Sequence, residues 1–356
     1  MTTDRSNRGY AAAARSVAIA GRSDRVRIEL TGPDRAKVLH NLTTNDIKRL
    51  TPGRGCEAFL TSGQGRTLAL LLVHAEDDRL LIRSDPETAG AILGHLGKYG
   101  MFEDATTRDV SAETSEWHLV GPLALRVLEG LGLQIPEKDL DTQPGLLPIS
   151  REGEAPAEPG ANPGSAGASP TPMRPVRVIR DDPMGLGGLT ILSDLADAPV
   201  IATVLRKAVE MQGGSEIEPP TFETLRIEAG TPVFGKDVTP ANLPQEANRD
   251  ARAISFVKGC YLGQETVARL DAMGHVNKIL IGAVAESDIV PPPGATLEAD
   301  GKAVGTVTSS AFSPGWSRGV ILGYVKTSHA SPGSAVVASW DGGTTGLLVH
   351  AWPIRP

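Results

Sequence analysis

Two cysteines, Cys56 and Cys260, are all that 356 residues supply. That scarcity excludes a disulfide framework and fits a reducing, cytoplasmic compartment. It also leaves the chain short of the four ligands that a structural zinc or an iron–sulfur cluster normally takes. Aromatic residues are few, 4% of the chain, so no stacking platform for single-stranded RNA is expected. Apolar runs never approach the ~20 residues that a membrane helix needs. Basic charge is not in surplus either: the net charge of -7 argues against a protein that coats nucleic acid, and neither DNA nor membrane is expected as a partner. His40, His74, His95, His118, His275, His329 and His350 show no metal-ligand spacing with one another or with either cysteine, so no metal site is expected. What remains is an ordinary globular composition, 40% hydrophobic and 22% charged, enough for two or three packed cores.

Punctuation by glycine and proline divides the chain. Residues 1–24 carry arginines and an alanine run but no apolar core of a signal peptide, and read as a disordered, ragged terminus. From Arg25, the apolar Val26, Ile28 and Leu30 alternate with charged residues, and Gly32-Pro33 then turns a strand into a helix bearing Val38, Leu39 and Leu42. Cys56–Ser62, Arg66–Val73 and Arg79–Arg83 read as strands, the first two joined tightly by Ser62-Gly63-Gln64-Gly65, and Ala89, Ile92, Leu93 and Leu96 fall at helical spacing. This is an α+β domain over 25–112, with helices on one face of a sheet. The pattern restarts over 113–212, interrupted at 151–175 by a Pro/Gly/Ala-rich stretch that reads as a flexible insertion. After a segment spanning 213–274, short strands at Ile279–Val284, Thr296–Glu298, Ala303–Ser309, Gly319–Val325 and Ala335–Ala338 predict a small antiparallel β-barrel over 275–356.

Chemistry concentrates in Lys258-Gly259-Cys260-Tyr261-Leu262-Gly263-Gln264-Glu265. Cys260 stands two residues from a cation and ahead of a predicted helix, an arrangement that lowers a thiol pKa. From the residues alone, a small buried hydrophobe is the slightly favoured reading of the same cysteine, since one Lys two positions away activates weakly. Upstream, a helix beginning near Pro220 ends at Gly230 as its C-cap, and Arg226 on it either clamps a ligand carboxylate or pairs with Glu223 or Glu228.

The pieces RIEAGTPVFGKDV, LPQEAN, ISFVKGCYLGQETVARL and GHVNKIL, between Arg226 and Leu280, resemble the signature of the YgfZ family, folate-binding relatives of the glycine cleavage T-protein (aminomethyltransferase). HNLTTNDI at His40–Ile47 and FLTSGQGR at Phe59–Arg66 resemble the family's amino-terminal pieces in the same order. The resemblance implies a T-protein-like cloverleaf, two α+β domains plus a C-terminal antiparallel β-barrel, around a channel for tetrahydrofolate. It implies Arg226 and Glu246 on the channel wall, with Tyr261 and Gln264 also binding the cofactor, and Lys258 and Cys260 at its mouth. Lys258 would then activate the Cys260 thiolate.

The implied function is support of iron–sulfur cluster assembly or repair in client enzymes, including tRNA-modifying ones. Aminomethyltransferases follow the glycine hairpin with a catalytic acidic pair, whereas here Arg66, Thr67, Leu68, Ala69 and Leu70 follow Gly65, and the glycine loop Met184–Thr190 also lacks an acid. Without a placed anion, aminomethyl transfer should be lost. Two alternatives stand beside this reading: a folate-dependent one-carbon transferase with a different acid, and a partner- or tRNA-binding scaffold that keeps the channel as a relic.

Overall fold

The computed structural model describes residues 2–149, 171–274 and 276–355. In chain order its first half runs α1 (Thr2–Arg15), β1 (Ala18–Gly21), β2 (Val26–Thr31), α2 (Arg35–Leu42), β3 (Gly55–Thr61), β4 (Thr67–Ala75), β5 (Arg79–Ser84), α3 (Ala89–Tyr99), β6 (Thr106–Asp109), β7 (Thr114–Val120), α4 (Ala124–Gly130) and β8 (Thr142–Pro148). Then follow β9 (Met173–Arg180), β10 (Gly188–Asp194), α5 (Ala198–Met211), β11 (Ser215–Glu216), α6 (Pro219–Ala229), α7 (Asp250–Ala253) and α8 (Gln264–Met273), and the strands β12 (Lys278–Ala285), β13 (Thr296–Ala299), β14 (Lys302–Ser313), β15 (Arg318–Lys326), β16 (Ala335–Trp340) and β17 (Gly343–His350).

These elements make an α+β molecule with two sheets and a barrel, as the alternating periodicities predict. The first sheet has the order β3-β4-β5-β2-β6, and its core of Ile28, Leu60, Leu71 and Ile82 is covered by Leu39 of α2 and Ile92 of α3. In the second, β11-β1-β7-β10-β9-β8, Ile19, Leu119, Val178 and Ile191 pack against Leu128 of α4 and Leu205 of α5. The barrel closes in the order β12-β15-β14-β13-β16-β17 around Ile281, Leu297, Ile321 and Leu347. Its sixth strand, β17, went unread in the sequence because glycine and threonine open it, yet its pairing with β12 and β16 closes the barrel.

Three boundaries differ from those expected. Residues 1–24 are not a ragged terminus among the described residues: the alanine run favours a helix, and α1 buries Ala12 and Ala13 while Tyr10 Oη donates to Glu228 Oε1 at 2.9 Å. Strand β1 then enters the second sheet between β7 and β11, so that sheet is not confined to 113–212. Of the expected insertion, 151–170 lie outside the described residues, but Met173, Arg174 and Pro175 already belong to β9, where they pair with β8. His275 likewise lies outside the described residues.

The two sheets turn their second faces toward each other instead of toward solvent. Leu81, Ile179 and Leu192 form a small apolar cluster there. Around it, the charged side chains of Arg27, Arg83 and Glu116 are each about 1% exposed. Arg83 Nη1 donates to Asp181 Oδ2 at 2.8 Å and its Nε to Glu116 Oε2 at 3.2 Å, a buried charge cluster that ties the first sheet to the second. A second such node, Glu228, joins distant parts of the chain: besides Tyr10 it accepts from Ser313 Oγ at 2.6 Å and from Arg355 Nη1 at 2.6 Å.

Candidate functional site

A cavity of about 410 Å³ lies where all three units meet. Glu57, Leu70 and Leu72 reach it from the first sheet, Asp181 and Asp182 from the end of β9, Phe222 and Arg226 from α6, and Trp352 from the chain that leaves the barrel. That volume and the mix of apolar walls with a few charged groups are those of a small-molecule site. A wider cleft of about 1040 Å³ opens between the sheets, but most of its charged residues pair with one another: Glu76 with Arg79 and Arg177, and Glu29 with Arg79 and Arg108. Among the described residues no group of three or more His, Cys, Asp or Glu could hold a metal ion, and no helix is long and apolar enough to cross a membrane.

Of the six residues proposed from sequence, only Arg226 lines the central cavity, and its guanidinium is fully engaged. It pairs with Glu223, donates from Nη1 to Asp237 Oδ2 at 2.5 Å and from Nη2 to Ser309 Oγ at 2.6 Å, and is 0% exposed. Its role is to join α6 to the barrel strand β14. Gly230 follows as the helix C-cap with φ +75, and a Cβ there would stand 2.4 Å from the Trp352 indole, so the close approach of helix and barrel requires glycine. Glu246 is absent from the cavity wall because its Oε2 caps the short turn before it, accepting from Leu243 N and Asn242 Nδ2 at 3.2 Å each.

Lys258 does not face Cys260. Its Nζ donates to three backbone carbonyls, His40 at 2.6 Å, Thr43 at 2.5 Å and Asn45 at 3.0 Å, and so staples the carboxyl end of α2, where carbonyls lack helical partners. Burial lowers its pKa to about 8. Tyr261 is a core residue beside Phe59, Leu70 and Val267, with its ring 4.6 Å from the Lys258 ammonium. Gln264 Oε1 accepts from Tyr261 N at 3.3 Å.

The motif also locks onto the glycine hairpin. Gly263 has φ +83, and a Cβ there would meet Ser62 O at 2.3 Å and Gly65 Cα at 2.8 Å. Thr61 Oγ1 meanwhile donates to Leu262 O at 2.7 Å. Much of the KGCYLGQE and FLTSGQGR pattern is therefore architectural, two glycine turns packed backbone to backbone.

Cys260 itself is exposed, in a separate surface groove of about 370 Å³ lined by α2, Tyr99 and Leu262 that shares no residue with the central cavity. The other thiol, Cys56, is pushed up to about 12, chiefly by burial and then by Glu57. Maleimide added to native protein should therefore take up one equivalent, at Cys260, with Cys56 reacting only on unfolding. Two rapid equivalents in the native state would contradict this placement.

The cavity's own charged groups were missed in the sequence. Arg25 opens a run in which charged residues alternate with apolar ones as a solvated strand face would, and nothing local marks it as buried. Glu57 is clasped by Arg249 Nη2 at 2.6 Å and by Arg252 Nε at 3.0 Å. Burial alone would raise its carboxyl, but the two guanidinium groups more than offset that and hold it below its ordinary value. Asp181 behaves alike: against burial, Arg83 keeps it well below the carboxylate range, helped by bonds from His118 and Thr190. Asp182 accepts from Gly187 N at 2.8 Å and Leu186 N at 3.0 Å. Asp85 Oδ2 accepts from Phe234 N at 2.8 Å, and among the described residues no cation lies within ion-pair distance of it.

Comparison with known proteins follows the same division of the chain. Residues 2–142 match the GCVT N-terminal domain, and residues 278–351 match the glycine cleavage T-protein C-terminal barrel domain. Over 316 residues the chain is 29% identical to a putative chloroplastic transferase of Arabidopsis thaliana, covering 88% of this chain and 66% of the relative, so it spans about two thirds of that protein's length. It is 28% identical over 314 residues to an aminomethyltransferase of Streptomyces avermitilis, covering 87% of this chain and 78% of the relative. The crystal structure of glycine cleavage system aminomethyltransferase T from Bartonella henselae superposes with a TM-score of 0.79 at 20% identity, over 97% of this chain and 88% of that one, and so shares the fold.

Proposed function

From the premise of a chain that carries the GCVT N-terminal domain and the glycine cleavage T-protein barrel, we propose that it binds tetrahydrofolate in the central cavity without transferring an aminomethyl group, and supports assembly or repair of iron–sulfur clusters in client enzymes, tRNA-modifying ones among them. The observation that carries this reading is the run Arg66–Leu70, which follows the glycine hairpin without the acidic pair of aminomethyltransferases and ends in Leu70, whose apolar side chain lines the cavity. Three of the four cavity carboxylates are already committed, Glu57 and Asp181 to arginines and Asp182 to backbone N–H groups, and a committed anion is a poor base for the folate nitrogens.

The residues present fit a pterin. Leu70, Phe222 and Trp352 supply apolar faces, and Asp85 supplies a polar edge. A bound reduced folate would contribute its one-carbon-carrying nitrogens. The chain's own part would be to orient the ring and exclude water. Cys260, on its separate exposed groove, is the sulfur offered to a client or to its cluster iron, a role in the reducing cytoplasm, where both thiols stay free.

Titrating tetrahydrofolate against tryptophan fluorescence should give saturable binding, since Trp352 lines the cavity. Incubation with an aminomethyl donor should give no turnover. In cells, Cys260→Ala should lower the activity of cluster-containing enzymes, and unchanged client activity would remove the role assigned to that sulfur. Asp85, with no cation within ion-pair distance among the described residues, favours one alternative, a one-carbon transferase that uses a different acid. Turnover in the wild type that is lost in Asp85→Asn would establish that alternative instead.

A further inference from the structure

Five arginines face the central cavity, and four of them are partnered: Arg226 as described, Arg249 and Arg252 on Glu57, and Arg22 near Asp24 with its guanidinium 4.0 Å over the Phe222 ring. The fifth, Arg25, is 9% exposed, its Nε is buried with no acceptor, and among the described residues its side chain makes no hydrogen bond or ion pair. The carboxylate most strongly coupled to it, Asp85, lies outside ion-pair distance and accepts from the Phe234 N–H instead. Glu116, the next, is held by Arg83 and lies 3.7 Å from Arg27. Arg83 adds a like charge, and burial and that repulsion depress the Arg25 pKa. A cation withdrawn from water and given no acceptor is among the least favourable arrangements a fold can hold, and this one is aimed into a cavity sized for a ligand.

We infer that Arg25 is the docking point for a carboxylate of the molecule that occupies this cavity. One uncommitted guanidinium matches one planar, singly charged carboxylate, which it can grip with two parallel N–H bonds. A phosphate dianion would bring a second negative charge toward Asp85, Asp181 and Asp182, with no second free cation among the described residues lining the cavity to balance it. Such a carboxylate has two sources, the glutamyl end of a folate or a separate small acid bound beside a pterin ring. The inference rests on the reading of the cavity as a folate site, and the two can fail separately.

The test uses the full chain as wild type, Arg25→Met and Arg25→Lys, with three probes: tetrahydrofolate, tetrahydropteroate, which is the same ring system without glutamate, and acetate. If the glutamyl end is the source, the wild type binds tetrahydrofolate about ten- to a hundredfold tighter than tetrahydropteroate, and Arg25→Met abolishes that preference while Arg25→Lys retains part of it. If a separate acid is the source, the two pterins bind equally, and acetate raises the melting temperature of the wild type but not of Arg25→Met. Should neither pterin bind, the folate reading fails, while an acetate shift that depends on Arg25 still supports the carboxylate site. The inference is overturned if Arg25→Met leaves every ligand response unchanged, or if its only effect is a lower melting temperature without ligand, the mark of a purely structural arginine.

Discussion

Arg83→Met is expected to destabilise the protein by about 3–5 kcal/mol, the usual result of removing one partner from a buried ion cluster. For domains of this size that is on the order of a 10 °C fall in melting temperature. Arg83 is the shared cation of Glu116 and Asp181, all three nearly or wholly inaccessible, and Arg27 at 3.7 Å from Glu116 replaces it only in part. The pH dependence carries the sign. Burial raises both carboxyls, but Arg83 more than offsets this and both lie below their ordinary values in the folded protein. A depressed carboxyl contributes stability that is present above its unfolded pKa, about 4, and is lost as pH falls through the folded value. Without Arg83 burial dominates and the folded pKa values rise, so the unfolding gap between wild type and Arg83→Met should be widest near pH 7 and narrow toward pH 4 to 5 as the stranded carboxyls take up protons. Thermal melts at three pH values would show it, and a gap constant with pH would mean the cluster is not ionised as drawn.

Arg226→Met should be of similar size, about 3–5 kcal/mol, but its cost falls on the attachment of the barrel. Asp237, whose side chain is 0% exposed, bonds to Arg226, to Thr308 Oγ1 at 2.6 Å and to Ser309 Oγ at 2.7 Å, so helix, loop and barrel strand share one anion. Truncating the arginine leaves that anion without its cation in a dry junction. The diagnostic comparison is the double variant Arg226→Met with Asp237→Leu. Removing both charges should recover a large part of the loss seen in Arg226→Met alone, as an apolar replacement of a buried pair commonly does. A fluorescence melt in which the double variant is the less stable of the two would show that the hydroxyl bonds to Asp237, not the ion pair, hold the junction.

The barrel, the hairpin of β3 and β4 and the helices α3, α5 and α8 were readable because each satisfies its backbone locally and shows its period on one apolar face. The buried charged residues were not. Arg27 and Arg83 occupy strand positions, and Arg25 the position just before β2, that a half-solvated sheet would give to water, and only the packing of one sheet on another turns them inward. Lys258 carries the same lesson at the proposed site. Its spacing of two residues from Cys260 suggested an electrostatic neighbour, whereas its acceptors come from His40, Thr43 and Asn45, more than 200 positions away. The missing acid, by contrast, was plain in the run Arg66–Leu70, since an absent side chain type needs no tertiary context to be noticed.

The carboxylate of Glu228 sets an order of events in the birth of the molecule. Tyr10 waits for it from one side and Arg355 from the other. As the chain leaves the ribosome, the first sheet can gather early from neighbouring strands, but this knot cannot tighten until residue 355 has been synthesised. Until then a buried acid stands half-served, and a nascent chain stalled within the barrel should be open to proteases at its earliest helix as well as its latest strands.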